Sequence, residues 1–202
     1  MAKNVSIRVL DDGPLKISGD SITVRFDGST VATKDGKDLY LCRCGRSKNA
    51  PFCDNSHRDN GFVGSSEAKE RKPLKVWEGK TIRTVFNPNA CMHVFYCKPL
   101  NDLRRRELEG DAEAAKEIAR VVMSCPSGAL RYESTVVETE LSEPEADIEI
   151  VAGGEVRIRC GFEIDAETLE GQPGDRATLC RCGESKNKPW CDGRHRKRED
   201  FR

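Results

Sequence analysis

The sequence predicts an α+β chain: two small β-rich units, one near each end, flanking an α+β insert. Three observations predict this. The pattern Cys-x-Cys, eight residues, Cys, three residues, His occurs twice, as Cys42, Cys44, Cys53, His57 and as Cys180, Cys182, Cys191, His195. The residues between the ligand types repeat as well, with CRCGRSKNAPFCDNSH standing against CRCGESKNKPWCDGRH. Upstream of both copies, apolar residues alternate with polar ones, the period of a half-buried strand. Between the copies the period changes to that of helices.

Repeat one is placed at residues 1–66. Val5, Ile7 and Val9 alternate, as do Leu15 and Ile17 within GPLKISG (13–19), and Ile22, Val24 and Phe26. The insert is placed at 67–141. Residues 74–86 read as two strands with Trp77, Glu78, Gly79 and Lys80 near the turn. A helix is expected from Asn101 to Leu108, broken by Gly110. Asp111 is expected to cap a second helix ending near Met123, with Glu113 in its first turn favouring the helix dipole. Its Ala115, Ile118, Ala119 and Val122 form one apolar stripe. A strand from Arg131 closes the insert, and Ser142–Asp147, with a proline and acids, reads as a linker. Repeat two, 142–202, offers Ile148 and Ile150, then Val156 and Ile158 within GEVRIRCG (154–161). Cys160, near the position of Gly19, is expected on a strand as a buried core residue.

Composition narrows the class. At 37% hydrophobic and 34% charged, the 202 residues are lean for one large core. Small units held by metal fit better, because metal binding adds folding free energy that a thin core lacks. The formal net charge is zero, with 34 basic and 34 acidic residues, so nothing global points to nucleic acid or an anionic membrane. No apolar run is long enough to span a bilayer. MAKNVSIRVLDDGPLK lacks the apolar centre of a signal peptide and the acid-poor character of a transit peptide. A cytoplasmic, reducing location is expected, where ten cysteines mean metal or redox chemistry rather than disulfides.

Three thiolates and an imidazole make one complete four-ligand set, so the chain carries two. Cys42 and Cys44, one residue apart, share a face of an extended chain. Cys53 and His57 share a face if a helical turn begins at Cys53, with Pro51 and Asp54 suited to its start. The same holds for Cys180/Cys182 and Cys191/His195. Two converging pairs suit one tetrahedral ion or a two-iron cluster with a pair on each iron. Cys-x-Cys is tighter than the usual structural zinc spacing, which leans toward iron–sulfur without deciding it.

The motif Cys42-x-Cys44-x2-Ser47-x3-Pro51-x-Cys53-Asp54-Asn55-Ser56-His57 closely resembles the CDGSH iron–sulfur domain, or NEET, family. The second copy, with Ser185, Pro189 and Cys191-Asp192-Gly193-Arg194-His195, is similar, as is the upstream Gly13-Pro14-Leu15. The resemblance implies a [2Fe-2S] cluster in each repeat, held by the three Cys and one His of each set. Asn55 stands where the motif has Gly, and Arg194 where it has Ser; neither is a ligand position. Asn tolerates the left-handed conformation. Arg194 places a cation beside the cluster.

One neutral imidazole in place of a thiolate makes such a cluster easier to reduce. Protonation of that imidazole is expected to loosen it in acid, so His57→Cys should make its cluster more acid-stable. Arg43, Arg46, Lys48, Arg58, Arg181, Lys186, Lys188 and Arg196 either offset the cluster charge or form a solvated basic loop. CDGSH domains usually pair as homodimers, and two copies in one chain imply an intrachain pseudo-dimer and a monomer in solution.

The insert, with Cys91-Met92-His93-x3-Cys97 and Cys125-Pro126-Ser127-Gly128-Ala129-Leu130, is similar to a divergent single-cluster ferredoxin-like domain. The usual Cys-x2-Cys-x2-Cys run is missing. A third, [4Fe-4S] cluster would need His93 or an outside fourth ligand, and the expectation is a scaffold whose cysteines pack as small apolar residues. No Ser/His/Asp set, phosphate loop or dinucleotide fingerprint is visible, so no enzyme is expected. The expected function is electron transfer or redox sensing through two [2Fe-2S] clusters, with cluster transfer or storage through the labile His as the alternative. The partner is then a redox protein or an apo iron–sulfur acceptor.

Overall fold

The computed structural model describes residues 4–33, 37–66, 70–137, 147–167, 169–170 and 173–201. Repeat one supplies β1 (Asn4–Val9), β2 (Leu15–Ser18), β3 (Thr23–Phe26), β4 (Ser29–Ala32) and β5 (Leu39–Leu41), then a 3-10 turn at Ser56–Arg58. The insert supplies β6 (Lys75–Glu78), β7 (Ile82–Phe86), α1 (Leu100–Glu109), α2 (Ala114–Met123) and β8 (Leu130–Ser134). Repeat two supplies β9 (Ile148–Ile150), β10 (Val156–Ile158), β11 (Gly161–Ile164) and β12 (Ala177–Leu179), then a 3-10 turn at Arg194–Lys197.

The two repeats exchange a strand. One sheet runs β11-β1-β2-β5 and the other β12-β10-β9-β3-β4. Each repeat builds an antiparallel three-stranded sheet from its first, second and last strands, and its third strand crosses to the other repeat. There β11 pairs parallel with β1, and β3 pairs parallel with β9. The exchange has a physical reason: β1 and β9 would otherwise be open edges with unpaired N–H and C=O groups. Thr23 and Asp147 clamp one crossing, where the Asp147 carboxylate accepts the Thr23 N–H and hydroxyl, both at 2.7 Å. Of the expected Ser142–Asp147 linker, residues 142–146 lie outside the described residues.

The exchange also merges the cores. Val5, Ile7, Leu15, Ile17, Ile22 and Leu41 share one buried cluster with Ile148, Ile150, Val156, Ile158, Leu179 and Trp190. Two units that are lean alone thereby bury one common interior. The pairs Leu15–Leu41 and Val156–Leu179 occupy matching rungs of the two sheets, so the repeats are related as a pseudo-dimer within one chain.

The insert is a separate layer, with β6-β7-β8 antiparallel and α1 and α2 packed together. The stripe Ala115, Ile118, Ala119 and Val122 is buried with Ile82, Leu100, Leu103 and Leu130. Gly110 ends α1 in the left-handed conformation, φ 100°. The expected start of α2 moves. Asp111 accepts the Glu113 N–H at 3.0 Å and so shapes a turn, and the helix begins after Glu113. Cys160 also differs from expectation. It lies in the bend between β10 and β11, half-buried against the common core, because the chain must leave β10 there to reach the opposite sheet.

Candidate metal centre

In both repeats the last strand delivers the chain directly into Cys-x-Cys. Leu41 and Leu179 are buried anchors, and the cysteines follow at once where the strands end. Cys42 and Cys44 hold their sulfurs 3.6 Å apart, and Cys180 and Cys182 3.7 Å apart. The second pair in each set closes to similar distances: Cys53 Sγ to His57 Nδ1 is 3.4 Å, and Cys191 Sγ to His195 Nδ1 is 3.5 Å. Two ligands on one tetrahedral metal lie about 3.5–3.8 Å apart, given metal–sulfur and metal–nitrogen bonds of about 2.3 and 2.0 Å. Each pair therefore fits one metal.

The Cys–His pair is not built as the sequence suggests. The 3-10 turns start at Ser56 and Arg194, so the cysteine is not on a helical face with its histidine. A left-handed residue intervenes, Asn55 at φ 70° and Gly193 at φ 80°. This bend returns the chain and aims a backbone N–H at sulfur, Asn55 N–H to Cys53 and Gly193 N–H to Cys191, both at 3.4 Å. Asn55 thus occupies the conformation that its side chain tolerates.

The other motif residues brace these loops. Asp54 accepts the Ser56 N–H at 3.0 Å and the Lys48 N–H at 2.8 Å. These bonds and that from the Ser56 hydroxyl hold its carboxyl well below the usual range. Asp192 accepts the Arg194 and Lys186 N–H groups in the same way. Ser47 and Ser185 each donate to the carbonyl before the third cysteine, both at 2.6 Å. Arg194 is itself held by Asp192 at 3.0 Å.

The two Cys-x-Cys segments meet at the pseudo-twofold, where Cys44 and Cys182 form an antiparallel bridge. Gly45 (φ 69°) and Gly183 (φ 79°) permit the approach. A Cβ on Gly45 would stand 2.7 Å from the Cys182 carbonyl oxygen, and one on Gly183 would stand 2.9 Å from that of Cys44. The intervening arginines are not solvated. Arg43 is 3% and Arg181 2% exposed. Arg43 donates to the carbonyls of Leu10, Gly13 and Gly64, and Arg181 to that of Val151. Burial lowers the pKa of both guanidinium groups, opposed by ligand thiolates of the opposite repeat: Cys180 for Arg43, and Cys42 first for Arg181.

The donor set fits an anionic cluster on two counts. Arg181 Nε is buried with no hydrogen-bond partner among the described residues, and the negative charges that act on the guanidinium are chiefly the ligand thiolates of Cys42, Cys182 and Cys180, then Glu155. The thiols of Cys180 and Cys182 share a hydrogen bond that brings Cys180 down to about 7 and pushes Cys182 up. Two thiolates at that distance need a cation between them. Of the remaining basic residues, Arg46, Lys48, Arg58, Lys186 and Arg196 are exposed as a solvated face, and Lys188 is half-buried.

The sets differ in depth. Cys191 and His195 are buried, with His195 7% exposed, whereas Cys53 and His57 are half-buried. Among the described residues, the one group of three ligand-type atoms all within 4.8 Å of one another is Glu155, Cys191 and His195. Sequence reasoning passed over Glu155 and the burial of Arg43 and Arg181. The signal for Glu155 was present, since Gly154-Glu155-Val156 stands against Gly13-Pro14-Leu15.

In the insert, Cys91 Sγ lies 3.8 Å from His93 Nδ1. Burial pushes the Cys91 thiol up; the His93 N–H opposes this, while the charges of Cys125 and Cys97 reinforce it. All three are half-buried against the apolar clusters. The insert docks on repeat two: Arg196 donates to the Met92 and His93 carbonyls, and Asn187 to that of Asn89 at 2.8 Å.

Comparison with known families agrees with this layout. The model described as iron-binding zinc finger CDGSH type matches residues 12–58 and 149–196. The model described as divergent 4Fe-4S mono-cluster matches residues 77–135 between them. No curated protein and no solved structure matches the chain. Among the described residues, no helix is long and apolar enough to cross a membrane.

Proposed function

The chain belongs to the CDGSH-type iron-binding family, in a tandem form with a divergent ferredoxin-like insert, and from that premise we propose that this iron–sulfur protein carries one [2Fe-2S] cluster in each repeat and works in electron transfer. The ligands are Cys42, Cys44, Cys53 and His57 in the first centre, and Cys180, Cys182, Cys191 and His195 in the second. The observation that carries the reading is the division of each set into two pairs. A single tetrahedral ion would need every pair of ligand atoms within about 3.8 Å. Among the described residues, no three of the eight ligand atoms lie within 4.8 Å of one another. Two separate pairs suit two irons, one pair on each.

When bound, such a cluster supplies a one-electron couple. The chain's own residues set its surroundings. Arg43 and Arg181 are buried, each between the two cysteines of its Cys-x-Cys, and Arg46, Lys48 and Arg58 are exposed on the loop that carries the half-buried first histidine. That face suits a partner with an acidic docking surface. We expect a monomer, no enzymatic activity and a cytoplasmic location. Anaerobic purification, with iron and acid-labile sulfide counted per chain, tests the cluster reading; roughly four of each is expected. Zinc with no visible absorption would overturn it. Electron exchange with a ferredoxin-type partner, with cluster retained, tests the role; appearance of cluster on an apo-ferredoxin would mean transfer instead.

A second reading concerns the insert. Its match to a mono-cluster family over residues 77–135, which include Cys91, Cys97 and Cys125, favours a third centre with four irons. Roughly eight irons and eight sulfides per chain would establish it.

A further inference from the structure

The two histidines have different neighbours behind them. His195 Nδ1 faces Cys191, and its other nitrogen, Nε2, lies 3.4 Å from Glu155 Oε2. Glu155 is 2% exposed. Its other oxygen is fixed by Arg157 Nε at 2.7 Å, and Arg157 also reaches Glu149 at 3.2 Å. The carboxylate is therefore an immobilised charge sealed behind the ring. Repeat one has Pro14 at this rung, directly before Leu15, as Glu155 stands before Val156. Lys16, the counterpart of Arg157, pairs with Asp38 at 2.8 Å instead. Among the described residues, no carboxylate pairs with His57, which borders an open cavity lined in part by Gly13, Pro14, Phe62 and the exposed Asp11 and Asp12, whose charges water screens.

We propose that Glu155 is a positioning residue that makes the second centre electronically unlike the first. Facing Nε2, it favours the ring tautomer with hydrogen on that nitrogen, leaving the Nδ1 lone pair for metal. It also adds a fixed negative charge behind a buried ligand, where screening is weak. Both effects disfavour an added electron. The second centre therefore has the lower reduction potential, and electrons entering the chain reside on the first. The proposal rests on the cluster reading above and adds a difference that the shared ligand set does not contain.

The test is a redox titration of the full chain with both centres loaded, followed by visible and electron paramagnetic resonance spectra. Two resolved one-electron steps are expected. Glu155→Gln keeps the size but removes the charge, leaving Arg157 paired with Glu149. It should favour reduction of the lower-potential centre by at least about tenfold, or 59 mV for one electron, and leave the other step in place. Pro14→Glu should move the other step in the opposite direction. Iron and sulfide counts in every variant keep loss of the cluster reading distinct from failure of this one. If Glu155→Gln does not load its second centre, Pro14→Glu and the wild-type separation still decide. Coincident steps in the wild type, or full loading with neither variant moving a step, would overturn the proposal.

Discussion

Gly45 offers a direct measure of how much the crossing of the two Cys-x-Cys segments contributes. It combines two constraints that can be separated. Its φ of 69° lies in the left-handed region, and an added Cβ would stand 2.7 Å from the Cys182 carbonyl oxygen and from Arg198 Nη1. Gly28 is the control, with φ 75° in the Asp27-Gly28 hairpin turn but nothing within 4 Å of the added carbon. Gly28→Ala should lose only the conformational component, about 1–2 kcal/mol. Gly45→Ala should lose that and a steric component of about 1–3 kcal/mol, because the obstacle is a carbonyl that cannot rotate away. The two variants should therefore differ by about 2–12 °C in Tm, at about 2–4 °C per kcal/mol for a chain of this size. The assay is thermal unfolding of the loaded protein, followed by circular dichroism and by bleaching of the visible band. Gly45→Ala should also bleach before its secondary structure melts, because the perturbation sits beside Cys44. Equal melting of the two variants would refute the close-packed crossing.

Three further outcomes follow from the same structure. Glu107 is a buried carboxylate that accepts the Lys80 and Thr81 N–H groups and the Thr81 hydroxyl. Burial pushes its carboxyl up, but these bonds prevail and hold it below its ordinary value of 4.5. Its contribution is thus present above that value and lost as pH falls through the lower folded-state value. Glu107→Gln should destabilise the insert by about 1–3 kcal/mol at neutral pH and flatten its acid dependence, read from melts taken between neutrality and acid. His57→Cys should slow acid bleaching of the first centre about tenfold, because protons no longer compete with iron for an imidazole nitrogen; unchanged decay in stopped-flow absorbance would contradict this. Arg181→Gln should lower the reduction potentials of both centres, since its guanidinium interacts with Cys42 as well as with Cys180 and Cys182; voltammetry showing no shift would mean that the charge is screened.

The sequence exposed those parts of the structure that local chemistry decides. Period-two runs such as Leu15–Ile17 and Val156–Ile158 became strands because alternate side chains must share a face. Gly110 stopped α1 because the chain needed the left-handed conformation there. Strand partnership was not legible. Nothing local in Thr23–Phe26 or Gly161–Ile164 says that each joins the other repeat, because that choice depends on which distant edge lies open. The ligand loops were misread as helical for a related reason. Spacing of four suits a helix, but Gly193, a residue that frees φ, marks the bend that brings Cys191 and His195 together. The buried arginines were hidden by residue type, since arginine at a turn-rich position is ordinarily solvated.

Fusion of the two repeats explains why such differences can persist. A symmetric dimer of identical chains presents the same residues at both interface copies, so a change beside one centre appears beside the other. In one chain the repeats keep what their shared structure demands and diverge elsewhere. The strand exchange, the common core and the Cys44–Cys182 bridge bind both halves into one unit, so Leu15 and Val156, Leu41 and Leu179, and Gly45 and Gly183 remain paired in kind. Pro14 and Glu155 stand one residue before those paired strands, where each carbonyl accepts a backbone N–H, from Leu10 and from Val151, that does not depend on the side chain. The insert adds a second source of asymmetry, because Arg196 donates to the Met92 and His93 carbonyls of the insert, which docks on repeat two. One ligand set therefore sits between protein layers and the other nearer solvent.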